Sequence, residues 1–102
     1  MELTKEIIIE KIKQDWNKIE DFGVKNLWLF GSYAQNKQDQ NSDIDFLVEF
    51  KSNFERKYNH LRKLSIYLEE LFNKRIDMGL KTDIEDLFKE SILNNNLVEV
   101  TI

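Results

Sequence analysis

LFGSYAQNKQDQNSDIDFLVEF, residues 29–50, decides how the rest of this chain is read. Its middle, QNKQDQNS (35–42), contains no apolar side chain and reads as a solvated loop. Upstream, NLWLF (26–30) is short, apolar and aromatic, with glycine directly after it, as a buried strand would be. Downstream, Asp43 to Phe50 alternates, placing Ile44, Phe46, Val48 and Phe50 on one face. Successive side chains of a strand point to opposite faces, and residues two apart lie roughly 6–7 Å from each other. Asp43 and Asp45 therefore project together on the face opposite Ile44 and Phe46, with the apolar Leu47 next on that side.

On the N-terminal side, Ile8, Ile12, Trp16 and Ile19 recur at helical spacing and predict one amphipathic helix over 4–20, ended by Phe22-Gly23. On the other side, Phe54, Tyr58, Leu61, Leu64, Leu68, Leu71 and Phe72 form the apolar stripe of a long helix over about 53–73. Ser52 or Asn53 would cap it. KRIDMG (74–79) reads as a short strand, and Thr82 to Glu85 as a capping box opening a helix that buries Ile84, Leu87, Phe88 and Ile92. That helix would end at Asn94–Asn96. LVEVTI (97–102) reads as a final edge strand. Trp16 and Trp28 sit on core-facing periodicities, His60 reads as a surface or packing residue, and Tyr67 falls off the main stripe as an interface candidate. Helices interleaved with a few strands predict an α+β class, an α/β sandwich with helices packed on a small mixed β-sheet.

The 102 residues suit one domain, 1–102, with one modest core; oligomerisation would help stability without being required, which leaves room for a homo-oligomer. With 15 Lys+Arg against 19 Asp+Glu and no basic block, a broad nucleic-acid surface is not expected. The absence of cysteine excludes disulfides and thiolate chemistry. No signal-peptide core and no long apolar run is visible, so no membrane association and a cytoplasmic location are expected.

Two carboxylates side by side repel each other, and a bound Mg²⁺ would neutralise both with hard oxygen ligands. An EF-hand fits the spacing of Asp39, Asn41, Asp43 and Asp45 but fails where that loop needs glycine and holds Ile44, and where it needs glutamate and holds Phe50. A polar strand edge is the plainer reading of S-D-x-D by itself. Gly31-Ser32 weighs against that reading, because glycine after a strand permits a tight turn whose amides and Ser32 hydroxyl can face a phosphate. A phosphate cradle ahead of paired carboxylates is the layout of metal-assisted phosphoryl or nucleotidyl transfer. Asp77, between Ile76 and Met78, offers a third carboxylate if the strands 43–50 and 74–78 are neighbours. Its alternative is a structural pairing with Lys74 or Arg75.

The combination GSYA (31–34), SDIDF (42–46) and the isolated Asp77 resembles the minimal nucleotidyltransferase family of the DNA polymerase beta superfamily, over nearly the whole chain. The resemblance implies the nucleotidyltransferase fold, with Mg²⁺ as cofactor and a nucleoside triphosphate, typically ATP, as substrate. It implies that Gly31, Ser32, Lys37 and Ser42 bind the nucleotide. Asp43, Asp45 and Asp77 would be catalytic and hold the metal, Asp77 also helping to deprotonate an acceptor hydroxyl. Small members resemble antitoxins paired with a helical HEPN-type toxin, onto which some attach AMP. A module that neutralises such a partner by occlusion is the alternative. A protein tyrosine, an RNA end or a small molecule would each serve as acceptor for the same three aspartates. Two positions depart from the family pattern: Asn36 stands where GSxAxG has glycine, though asparagine also tolerates left-handed backbone, and Gln35 stands where a basic residue is often seen, with Lys37 as the substitute phosphate partner.

Overall fold

Four strands form the sheet of the computed structural model, which describes residues 2–51, 57–84 and 97–100. β1 (Val24–Phe30) and β2 (Ile44–Phe50) run antiparallel, and β3 (Ile76–Leu80) joins β2 in parallel. β4 (Leu97–Glu99) pairs antiparallel with the other side of β1, giving the order β3-β2-β1-β4. The sheet is therefore mixed, and β4 lies at its edge as the alternation of 97–102 predicts. A parallel neighbour cannot be reached by a tight hairpin. The crossover from β2 to β3 is made by α3 (Lys57–Phe72).

The two faces of the sheet follow the period-two pattern. Leu27 and Leu29 of β1 stand opposite Val48 and Phe46 of β2 on one face, where all four are buried. Ile8 and Ile12 of α1 (Lys5–Gln14), Ile19 of α2 (Trp16–Glu20), and Leu64, Leu68 and Phe72 of α3 join them in one hydrophobic cluster. Full burial of side chains of this size is worth roughly 1.5–3 kcal/mol each, so this cluster is the main source of cohesion. The opposite face carries Asn26, Trp28 and Phe30 from β1 against Glu49, Leu47 and Asp45 from β2. An irregularity between Val24 and Asn26 lets both Val24 and Leu27 reach the core while Asn26 bonds Glu49. Trp28 is buried, but beside Leu47 and beneath the Lys81 ammonium, not in the helix-covered core that its periodicity predicts. His60 packs its ring against Phe50, in keeping with a packing role.

The helix predicted over 4–20 is two helices. Thr4 caps α1, accepting from the Ile7 N–H, and Asp15 leaves helical geometry between α1 and α2. The cause is tertiary. The Asp15 carboxylate accepts a hydrogen bond from the Tyr67 hydroxyl of α3, and the Tyr67 ring packs on Phe22 at 5.4 Å. Tyr67 is thus a partly buried clamp between helices. Tyr67→Phe should cost roughly 1–2 kcal/mol, read as a lower urea midpoint at unchanged slope. Burial first, and then Asp15, pushes the Tyr67 hydroxyl up from 10.0 to about 12. The fold therefore favours the protonated phenol, and the wild type should shed this stability as pH rises from about 10 to about 12. Tyr67→Phe should not.

Phe54 and the side chain of Tyr58 fall outside the described residues, as do Ser52 and Asn53. So do Glu85, Leu87, Phe88 and Ile92 of the predicted last helix and its Asn94–Asn96 end; Lys81–Ile84 just ahead forms a 3-10 turn. Among the described residues no helix is long and apolar enough to cross a membrane.

A three-aspartate candidate active site

β1 delivers the chain to Gly31, whose φ of +76° turns it sharply off the end of the sheet. Residues 32–36 then form a turn closed by three kinds of bond. The Gln35 N–H donates to the Gly31 and Ser32 carbonyls, the Asn36 N–H to Tyr33, and the Lys37 N–H to Ser32 at 2.8 Å. Asn36 takes φ of 57°, so asparagine does adopt the left-handed backbone where glycine is usual. Tyr33 and Ala34 anchor the turn in the core. The amides of Ser32, Tyr33 and Ala34 donate no hydrogen bond among the described residues. An anion at the start of the turn would find those donors ready.

The turn is pressed against an aspartate. A Cβ added to Gly31 would lie 2.2 Å from Asp45 Oδ2, so only glycine leaves space for that carboxylate. Asp45 in turn stands directly beside Asp77, because the parallel register pairs Asp45 with Asp77 between the Ile44–Ile76 and Phe46–Met78 pairs. The neighbouring strands that the third carboxylate required are therefore present. Asp43 lies just ahead of β2, partly exposed.

Electrostatics bind these residues into one unit. Asp45 is pushed up from 3.8 to about 6, first by loss of hydration, then by the negative charges of Asp77 and Asp43, and last by hydrogen bonding with Asp77. A bound cation would relieve the same repulsion that raises Asp45. Three carboxylates offer the hard oxygen donors that suit Mg²⁺, and Asp43, Asp45 and Asp77 are the residues that could hold it. Among the described residues no three Asp, Glu or His side chains are already gathered into an ion cage, as expected for like charges without a counter-ion.

The remaining predicted residues fall as follows. Ser32 is partly exposed in the turn, and Lys37 closes the turn through its backbone with its side chain exposed. The Ser42 hydroxyl is engaged inside its own loop, accepting from the Asp39 N–H at 3.0 Å and donating to Asp39 Oδ1. Lys74 does not pair with Asp77: its Nζ donates to the Ser42 carbonyl at 2.9 Å and the Gln40 carbonyl at 3.3 Å. Among the described residues Arg75 forms no ion pair with Asp77 either, while Lys81 pairs with Glu49 at 3.8 Å. The contacts of Lys74 are what sequence reading missed, since bonds to loop carbonyls leave no trace in a motif. A cavity of about 530 Å³ opens between Tyr33, Lys74, Lys11 and Phe72, and none of the three aspartates lines it. The aspartates instead lie at the end of the sheet, Asp43 and Asp45 partly buried and Asp77 exposed.

Comparison with known proteins gives a consistent result. A model of the nucleotidyltransferase domain matches residues 6–98. A candidate protein adenylyltransferase of Methanocaldococcus jannaschii is 43% identical over 72 residues, spanning 71% of this chain and 75% of its own. Protein adenylyltransferase MntA of Thermococcus cleftensis is 33% identical over 77 residues, 72% of this chain and 73% of its own. Among solved structures, a candidate minimal nucleotidyltransferase superimposes with a TM-score of 0.75 at 21% identity, covering 94% of this chain and 95% of that one. A toxin–antitoxin structure with AMP-PNP gives 0.64 at 19% identity, covering 97% and 73%. At these identities the two structures speak for the fold.

Proposed function

The chain belongs to the nucleotidyltransferase domain family, and from that premise we propose that it transfers AMP from ATP to a hydroxyl of a toxin partner, with Mg²⁺ as cofactor. The observation that carries this reading is the in-register pairing of Asp45 with Asp77 directly against the Gly31 turn. The Gly31 turn lies against Asp45, and Asp45 beside Asp77, which supports a site for transfer at the α-phosphorus. The relatives named adenylyltransferases, and the toxin–antitoxin structure with AMP-PNP, support the protein acceptor and the antitoxin role. A cytoplasmic site of action and a helical HEPN-type partner belong to the same proposal.

In this reading the turn amides and Ser32 receive the triphosphate, and Gly31 lets it approach the sheet. Asp43, Asp45 and Asp77 would hold Mg²⁺, which when bound would neutralise their charge and that of the phosphates. The acceptor oxygen attacks the α-phosphorus, the bond to the β-bridging oxygen breaks, and pyrophosphate leaves. Asp77, the most exposed end of the pair, accepts the hydroxyl proton on its carboxylate. Positioning and electrostatics supply most of the rate.

The test is intact mass spectrometry of the partner toxin, reconstituted with this protein, ATP and Mg²⁺. Successive gains of one AMP are expected, and Asp43→Ala/Asp45→Ala should slow them by roughly a thousandfold. Asp77→Asn should keep nucleotide affinity and lose turnover. A stable complex with no mass gain, whose double variant still suppresses toxicity, would replace transfer by occlusion.

A further inference from the structure

Asp43 presents a problem that the sheet does not solve. It precedes the first residue of β2, so no ladder bond orders it, and the loop before it has no apolar side chain to tie it to the core. The bonds inside that loop are local: the Asn41 N–H to Asp39 Oδ1, the Asp39 N–H to Ser42 Oγ, and the Ser42 N–H to the Asp39 carbonyl. They shape the loop without fixing it to the domain. What fixes it is the segment 74–75. The Lys74 Nζ holds the carbonyls of Gln40 and Ser42, and the Ile44 N–H donates to the Arg75 carbonyl at 3.1 Å. Both chain neighbours of Asp43 are thereby latched to the residues that lead into Asp77.

The same ammonium lies over the ring of Tyr33, 5.9 Å from its centroid, and Tyr33 is the buried anchor of the phosphate turn. One side chain thus touches the turn, the Asp43 loop and, through the chain, the Asp77 strand. Two of its three donors go to carbonyls and its charge faces an aromatic ring, contacts that make it a brace between the turn and the loop.

We propose that Lys74 is a positioning residue for nucleotidyl transfer, setting Asp43 against Asp45 and Asp77 by latching the Gln40–Ser42 carbonyls and the Tyr33 ring together. This rests on the function proposed above. Errors of about 1 Å at a site of this kind cost about a hundredfold in rate, and loss of the Lys74 contacts frees the loop on the Ser42 side of Asp43.

The test compares Lys74→Met, which keeps the stem and loses the donors, with Lys74→Arg, whose guanidinium can still reach two carbonyls. Amide hydrogen exchange at residues 41–43, measured without metal or nucleotide, should quicken at least about tenfold in Lys74→Met and remain near wild type in Lys74→Arg. In transfer assays, Lys74→Met should lower kcat by roughly ten- to a hundredfold and raise the Mg²⁺ requirement, with KM for ATP little changed. Lys74→Arg should recover most of the loss. Wild-type exchange and kcat in a folded Lys74→Met protein would overturn the proposal, and so would a rise in KM for ATP at unchanged kcat, which marks direct contact with the nucleotide. A wild type that neither binds Mg·ATP nor transfers AMP would instead sink the functional reading on which the proposal depends, whatever the exchange rates.

Discussion

Asp45→Asn should make the metal-free protein more stable above about pH 6 and abolish transfer. The fold holds the Asp45 proton more tightly than the unfolded chain does, with a value of about 6 against 3.8. Between those values the folded state binds more protons, so stability must fall as pH rises through that window and level off above it. At full strength a shift of that size is worth about 3 kcal/mol. Solvent reaches this partly exposed carboxylate, and the screened contribution is about 1–2 kcal/mol. Asparagine removes the charge, the repulsion from Asp77 and Asp43, and the pH dependence together. Denaturant titrations from pH 4 to 7 should show a declining stability in the wild type and a nearly flat one in Asp45→Asn. Saturating Mg²⁺ should flatten the wild-type slope as well, because the cation takes over the role of the proton. An amide cannot replace a carboxylate at the metal, so transfer should fall by roughly a thousandfold or more. A wild-type slope in the variant, or retained transfer, would show that Asp45 is not the centre of the cluster.

Gly31→Ala should damage both folding and activity, in contrast to Asp45→Asn. Two independent costs fall on one methyl group. At φ of +76° a side chain is strained, by roughly 1–2 kcal/mol. The new Cβ would also meet Asp45 Oδ2 at 2.2 Å, far inside any contact distance, so the carboxylate must swing away. Moving it shifts the residue that faces Asp77 and opens the gap between the phosphate turn and the metal ligands. The expected result is a lower unfolding midpoint and a loss of at least about a hundredfold in transfer. The double variant Gly31→Ala/Asp45→Asn separates the two costs. The steric part should persist in stability, while the activity losses should fail to add, since both act through the same carboxylate. Additive losses in rate would mean that Gly31 acts on the nucleotide alone.

Local chemistry in the chain determined a good deal of this molecule. The alternation of Ile44, Phe46, Val48 and Phe50 dictates which face of β2 enters the core, because side-chain direction in a strand is set by the backbone period and by nothing distant. The same rule puts Asp45 on the other face. Gly31 and Asn36 declare the turn, since few residues accept left-handed backbone, and both take it. The stripe Leu64, Leu68, Phe72 announces the helix that covers the sheet. Tertiary structure decided the rest, where the cause lies far along the chain. Asp15 splits the first helix because Tyr67, 52 residues away, bonds its carboxylate. Trp28 turns from the helices because the irregularity at Val24–Asn26 sets which side of β1 faces them. Asp77 meets Asp45 only through the parallel pairing of β3 with β2, and Lys74 holds the Asp43 loop through carbonyls that every residue possesses. Periodicity and motif record what a residue is and where its own backbone points it. A contact between distant segments depends on which strands become neighbours, and that choice is made by the burial of the whole core at once.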